Sequence, residues 1–184
     1  EKAAVALAQM ATQPSAQAVI AAADGAIPAL IGLMNGGTPS ARGHAAGALR
    51  SLAASAALHG AIVQAVYKWS NEPLGALEVL VELMRDAANP GAAKAQAAGA
   101  LRNLAAGDES TRELIAATDG SLEMLTALAR DGGAAEQEQS AAALANLARS
   151  DATKARLVRT SGALAALVFV VRDIDGASAA RARD

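Results

Sequence analysis

Few side chains in this sequence could carry out catalysis. His44 and His59 are the two histidines, there is no cysteine, and no carboxylate stands at helical ligand spacing from either histidine. Nucleophilic catalysis and metal binding each need such groups in combination. No phosphate-binding loop or nucleophile–base motif is found either. The sequence therefore predicts no enzyme, no cofactor and no metal site, and both histidines are interpreted as surface or packing residues.

The side chains best suited to recognition are arginines. Arg50 and Arg102 stand in two similar segments, AAGALRSLAAS at 45–55 and AAGALRNLAAG at 97–107, and Arg149 stands near the end of a third such segment. Arginine binds carboxylates through two parallel N–H donors, so a line of arginines would suit an acidic partner. Alternatively, their stems cover apolar surface while the charged heads stay in water. The sequence alone leaves both interpretations open.

The arginine segments belong to a longer internal repeat. The same pattern returns as SAAALANLARS at 140–150 and AAVALAQMATQ at 3–13. With Gln9, Ser51, Asn103 and Asn146 taken as equivalent, the intervals are 42, 52 and 43 residues. Two intervals have the length of a three-helix repeat. The longest interval indicates an insertion near 66–73, VYKWSNEP, which holds the only tyrosine and the only tryptophan.

Composition favours an array of helices. Hydrophobic residues make up 53 % of the 184 residues, aromatic residues only 2 %, and the formal net charge is −2. Alanine-rich helices pack closely, and a repeat array needs no aromatic centre. Near-neutral charge with few aromatics argues against nucleic-acid binding.

The longest apolar run, 163–171, is about half of the ~20 residues of a membrane span. No signal peptide opens the chain, which starts within the repeat pattern at Glu1. We therefore expect a fragment of an intracellular protein, cytoplasmic or nuclear.

Each unit reads as a short helix, a glycine turn, an apolar helix and a long third helix that ends in A-L-x-[NSQ]-[LM]. This pattern resembles the armadillo repeat. The matching positions are the glycines Gly25, Gly75, Gly120 and Gly162, the leucines Leu30, Leu80, Leu125 and Leu167, and the segments ending at Met10, Leu52, Leu104 and Leu147. HEAT repeats are the nearest alternative, but their two-helix units would not need the short first helix and its glycine. The resemblance implies an all-α, right-handed α-solenoid of three-helix armadillo repeats.

In this frame residues 1–184 form a single armadillo-repeat domain. Its expected parts are the third helix of a preceding repeat (1–12), repeats at 13–55, 56–107 and 108–150, and an incomplete repeat at 151–184. The apolar stretch 164–171 lies in that incomplete repeat. Since terminal repeats normally need polar caps, we expect self-association or missing neighbouring repeats there. Helix starts are predicted at Thr38–Pro39, at Asn89–Pro90, and at a capping box of Ser110 and Glu113.

The resemblance implies a groove, lined by third helices, that binds extended or helical segments of other proteins. In the family an asparagine of each third helix clamps the partner's backbone. Asn103 and Asn146 match this position, whereas Ser51 and Gln9 depart from it. Counting back along one helix face gives the predicted groove residues. They are His44, Gly47, Arg50 and Ser51, then Gln96, Gly99, Arg102 and Asn103, then Gln139, Ala142, Asn146 and Arg149.

Other interpretations of these residues remain open. The asparagines could bond to neighbouring helices, and Gly47 and Gly99 could serve close packing between helices or the close approach of a partner. The import receptors of the family have tryptophan where Val5, Gly47, Gly99 and Ala142 stand, so recognition of basic import signals is not expected. Tyr67 and Trp69 could contact a partner, although packing over an uneven repeat junction is slightly favoured.

The predicted function is a scaffold for protein–protein interaction. The expected partner is an extended or helical protein segment, acidic if the arginines line the groove, and neither a nucleic acid nor a membrane. The alternative is a partner- or substrate-recruiting region of a larger multidomain enzyme, such as an armadillo-bearing ubiquitin ligase.

Overall fold

The computed structural model describes residues 2–68 and 73–168, and these residues are almost entirely helical. The order of elements is α1 (Lys2–Ala11), α2 (Pro14–Ala22), α3 (Ala26–Gly36), α4 (Pro39–Leu52), a 3₁₀ helix (Ala56–Leu58), α5 (His59–Gln64), β1 (Val66–Tyr67), β2 (Leu74–Gly75), α6 (Ala76–Arg85), α7 (Gly91–Ala105), α8 (Glu109–Ala117), α9 (Ser121–Asp131), α10 (Ala134–Leu147) and α11 (Asp151–Arg159). Residues 163–168 are also helical. Trp69 and the apolar residues 169–171 lie outside the described residues.

The helices follow one another as short, medium and long, so the predicted all-α solenoid is confirmed. Helices α4, α7 and α10 are the long third members, and α1 occupies the same place at the start of the chain. Each packs beside the next, α1 on α4, α4 on α7, and α7 on α10. This stacking places one face of every third helix along a common surface.

Alanine permits this close stacking of third helices. Ala45, Ala48, Ala97, Ala98 and Ala100 are fully buried. The larger core residues include the buried leucines of the repeat segments, Leu49, Leu52, Leu101, Leu104, Leu144 and Leu147. The apolar core is one continuous cluster along the stack. A core built from neighbouring units in this way is typical of repeat proteins.

Two of the three predicted helix starts differ in the structure. Thr38 caps α4 as predicted, because its Oγ1 accepts the Ala41 N–H at 3.2 Å. Asn89 instead is buried and donates its Nδ2 to the Leu83 carbonyl, and Pro90 holds the cap position of α7. The Ser110–Glu113 capping box is wrong, since Asp108 caps α8 by accepting the Thr111 N–H at 2.7 Å.

The insertion changes one of the four predicted glycine turns. Gly25, Gly120 and Gly162 have positive φ angles of 76°, 72° and 82°, which glycine adopts without strain. Gly75 does not, because its φ is −83°. It belongs instead to a two-residue antiparallel ladder in which Val66 pairs with Gly75 and Tyr67 with Leu74. The prediction of a turn glycine at Gly75 is therefore wrong.

Within the two described stretches, no single helix is long and apolar enough to cross a membrane; two sharply bent helix pairs satisfy length and composition only when each pair is taken together.

Candidate functional site

The contact between α4 and α7, here called the first junction, joins three of the predicted groove residues. Arg50 donates from Nη1 to Gln96 Oε1 at 3.1 Å. In return, Asn103 donates from Nδ2 to the backbone carbonyl of Arg50 at 2.9 Å. Two hydrogen bonds of opposite direction therefore tie the ends of adjacent third helices together.

The contact between α7 and α10, the second junction, repeats this arrangement. Arg102 donates from Nη1 to Gln139 Oε1 at 2.9 Å, and Asn146 donates from Nδ2 to the Arg102 carbonyl at 3.0 Å. We call each set of arginine, glutamine and asparagine a junction triad. The same geometry at two successive junctions shows that the triad is a property of the repeat and not of one site.

The triads leave part of their hydrogen-bonding capacity unused. Each asparagine spends one amide hydrogen on the neighbouring helix, while its Oδ1 accepts no hydrogen bond from the described residues. Asn103 and Asn146 are half-buried, so both retain contact with solvent. An amide oxygen held in place and left open is suited to accept an N–H from another chain.

The arginines of the triads are bound to neutral amides. The ion pairs within the described part of the chain join other residues, such as Arg42 to Asp86 and Arg85 to Glu82, and none involves Arg50, Arg102 or Arg149. Arg149 is exposed at the end of α10 and stands one turn beyond Asn146. The three arginines of the predicted line thus form no ion pair within the described residues, although at the second junction Gln139 donates from Nε2 to Glu138 Oε1 at 3.2 Å.

The two groove glycines differ in their surroundings. A β-carbon on Gly99 would lie 2.7 Å from Arg50 Nε and 2.8 Å from Cδ, so the arginine stem crosses α7 at this glycine. A β-carbon on Gly47 would meet only Gln96, at an ordinary 3.7 Å. Gly99 therefore serves the packing of the first junction, whereas at Gly47 a methyl group would fit in ordinary contact with Gln96.

No triad forms between α1 and α4 in the described structure. Ala8 stands where the arginine would be, and Ser51 replaces the asparagine. The Ser51 carbonyl instead accepts a hydrogen bond from Gln17 Nε2 at 3.0 Å. The conserved geometry is thus confined to the stack of α4, α7 and α10.

Tyr67, near the start of the insertion, lies over the second helix of the first full repeat. The Tyr67 ring covers Gly32 of α3 so closely that a β-carbon there would overlap its ring atoms. Tyr67 is half-buried and packs against the apolar core. Tyr67 therefore has a packing role in the described structure.

Sequence reasoning missed a cavity at the groove surface. It measures about 240 Å³ and is lined by the first turns of α4 and α7, namely Pro39, Ser40, Gly43, His44, Pro90, Ala92, Ala93 and Gln96. Its signal in the sequence is the set of small residues that follows each proline.

Among the described residues, no group of three or more potential metal ligands is found.

No protein-family model matches this chain, and no curated protein matches it. Among solved structures, two engineered proteins are each 30 % identical to it, with TM-scores of 0.76 and 0.79, over 88 % and 91 % of its length. The chain spans only 61 % and 65 % of those proteins.

Designed armadillo repeat proteins are similar as well. One, computationally designed for modular peptide recognition, is 26 % identical with a TM-score of 0.79, covering 91 % of this chain and 66 % of that one. Another, in complex with peptide (KR)4, is 24 % identical with a TM-score of 0.79 over 93 % of this chain and 67 % of that one. These similarities confirm the resemblance drawn from the repeat pattern: the chain has an armadillo-like repeat fold.

Proposed function

We propose that this chain is a scaffold that binds an extended segment of another protein across α4, α7 and α10. The observation that carries the proposal is the junction triad, which repeats at both junctions. Each triad offers an open asparagine Oδ1 beside an arginine without a carboxylate partner. In this proposal the asparagines bind the backbone of the ligand and the arginines bind its acidic side chains.

Backbone recognition would come from Asn103 and Asn146. Packed helices lie about 8–10 Å apart, a distance that about three residues of an extended chain would span. One peptide could thus donate an N–H to Asn103 and, further along, a second to Asn146. Each such hydrogen bond contributes about 1 kcal/mol net, so affinity requires several contacts in series.

The charge of the groove favours an acidic segment. Arg50 and Arg102 are each held by a neutral glutamine, and neither forms an ion pair within the described part of the chain. Guanidinium groups bind carboxylates more strongly than they bind neutral acceptors. A hydrogen bond from Arg50 or Arg102 to an acidic side chain of the ligand would therefore be stronger than the bond that each arginine makes to its glutamine.

Two similar solved structures support a peptide as the ligand. One was designed for modular peptide recognition, and the other is in complex with the basic peptide (KR)4. The arginines of the present chain favour an acidic peptide instead of a basic one. The proposed binding requires no reacting group, in keeping with a non-enzymatic scaffold.

Fluorescence anisotropy with labelled (ED)4 and (KR)4 peptides, at about 50 mM salt where screening is modest, tests this proposal. We expect (ED)4 to bind and (KR)4 not to bind. The double variant Arg50→Gln/Arg102→Gln should weaken (ED)4 binding about tenfold or more. Arg85→Gln/Arg130→Gln, which removes the same charge from second helices, is the matched control and should bind as the wild type does. Tighter binding of (KR)4, or of neither peptide, would contradict the proposal.

A further inference from the structure

We propose that the cavity between the first turns of α4 and α7 receives a tyrosine side chain of the bound segment. This inference rests on the proposed function, because the cavity lies at the first junction beside Arg50 and Gln96. A tyrosine site would add a preference for one side chain to a groove that is otherwise proposed to recognise only the backbone and the charge of the ligand.

The size and walls of the cavity suit one aromatic ring. It is a depression open to solvent on one side, and its volume of about 240 Å³ leaves room for one aromatic ring. Pro39 and Pro90 contribute apolar rings at the starts of α4 and α7, and Ala92 and Ala93 contribute methyl groups. Since α7 starts directly after Pro90, the wall is built from regular helix and is already formed.

The polar groups that line the cavity suit a phenolic oxygen. Gln96 Oε1 is occupied by Arg50, which leaves Gln96 Nε2 as a donor without a partner among the described residues. The half-buried His44 ring and the Ser40 hydroxyl also line the cavity. No carboxylate is among the lining residues. A phenolic oxygen that enters the cavity can therefore accept a hydrogen bond without repulsion from a negative charge. Tyrosine combines an apolar ring with such an oxygen, which phenylalanine and leucine lack.

The second junction is closed to such a ring. There the Glu136 side chain lies against α7, and a β-carbon on Gly91 would stand 3.0 Å from its Oε2. The carboxylate is held in place by the Gly133 N–H at 2.7 Å. The tyrosine preference is therefore specific to the first junction and fixes where along the groove a segment binds.

A titration with N-acetyltyrosinamide, followed by ¹H–¹⁵N NMR, tests the cavity without any peptide. We expect saturable shifts at His44, Ala92 and the Gln96 side-chain amide, and none at Gly133 or Ala135. Equal shifts at both junctions, or no shift near His44, would overturn the inference even if (ED)4 binds.

Peptide binding supplies the second readout. Replacing one glutamate of (ED)4 by tyrosine, at each position in turn, should raise affinity at least threefold at one position, and alanine at that position should not. The variant Ala92→Leu, which fills the cavity from an exposed helical position, should abolish this gain but retain (ED)4 binding. Ala135→Leu, at the equivalent exposed position of α10, should preserve the gain. Loss of (ED)4 binding itself would count against the proposed function, whereas a tyrosine gain that survives Ala92→Leu would count against the cavity alone.

Discussion

The Arg50 side chain crosses α7 at Gly99, where a β-carbon would lie within 2.8 Å of two of its atoms. This contact explains a glycine in the interior of a helix, where it costs about 1 kcal/mol relative to alanine. The glycine makes room for the Arg50 stem on its way to Gln96, and the resulting hydrogen bond joins two repeats. At the second junction Arg102 reaches Gln139 with Ala142 at the equivalent position, so the glycine is a feature of the first junction and not of the triad.

Alanine substitutions at the two groove glycines should have different effects on stability. Gly47→Ala should stabilise the protein by about 0.5–1 kcal/mol, because its β-carbon meets only ordinary contacts. Gly99→Ala should stabilise the protein less than Gly47→Ala does, because the Arg50 stem must move to make room for the new β-carbon. Urea unfolding followed by circular dichroism measures both changes. Equal stabilisation by the two variants would show that Arg50 does not depend on Gly99.

The repeat pattern was sufficient to predict the architecture. The recurring A-L-x-[NSQ]-[LM] segments identified the third helices. The leucines that end three of these segments, Leu52, Leu104 and Leu147, are fully buried, whereas Met10 at the end of the fourth is 45 % exposed. The glycines at 25, 120 and 162 were predicted as turns, and all three have the left-handed backbone that such turns need. Patterns that repeat several times in register predict a fold well, because each copy supports the others.

The sequence alone did not predict which residues form the hydrogen bonds between repeats. The Arg50–Gln96 and Asn103–Arg50 bonds join residues 46 and 53 positions apart, and they depend on how far one helix slides along the next. No local pattern encodes that register. Gly75 failed as a turn for a similar reason, since pairing with Val66 across the insertion fixes its backbone.

Alanine at Gly32 should destabilise the protein, although alanine favours helices. Its β-carbon would overlap the Tyr67 ring, and such overpacking costs about 1–3 kcal/mol. Gly36→Ala in the same helix is the control, because a β-carbon there has no neighbour within 4 Å. Thermal unfolding of the two variants measures the difference. If Gly32→Ala is as stable as Gly36→Ala, the Tyr67 ring does not pack on α3.

Acid should weaken the fold through carboxylates that accept hydrogen bonds. The Ala88 N–H and the Arg42 guanidinium hold the pKa of Asp86 below its ordinary value, and the Thr111 N–H does the same for the pKa of Asp108. Because these pKa values are lowered in the folded state, the stabilisation is complete above the unfolded-state pKa of about 3.9 and is lost as the pH falls through the folded-state pKa.

Denaturant unfolding between pH 6 and about pH 3 measures this loss. We expect Asp108→Asn to reduce the pH dependence of the free energy of unfolding, since asparagine can still cap α8 but does not titrate. Asp24→Asn, at an exposed residue without a hydrogen bond or ion pair in the described structure, should leave the dependence unchanged. An unaltered pH profile for Asp108→Asn would contradict a role for its charge.

The last described helix should mediate self-association. Leu164 and Val168 are 56 % and 54 % exposed, and their spacing of four residues places them on one face of 163–168. In a repeat array such a face normally packs against a further unit. Sedimentation velocity should therefore show association that increases with concentration, and Leu164→Lys/Val168→Lys should abolish it. Val19→Lys, at an even more exposed valine of α2, should leave it intact. A wild-type protein that remains monomeric at all concentrations, or a double variant that still associates, would show that this face does not bind a second copy.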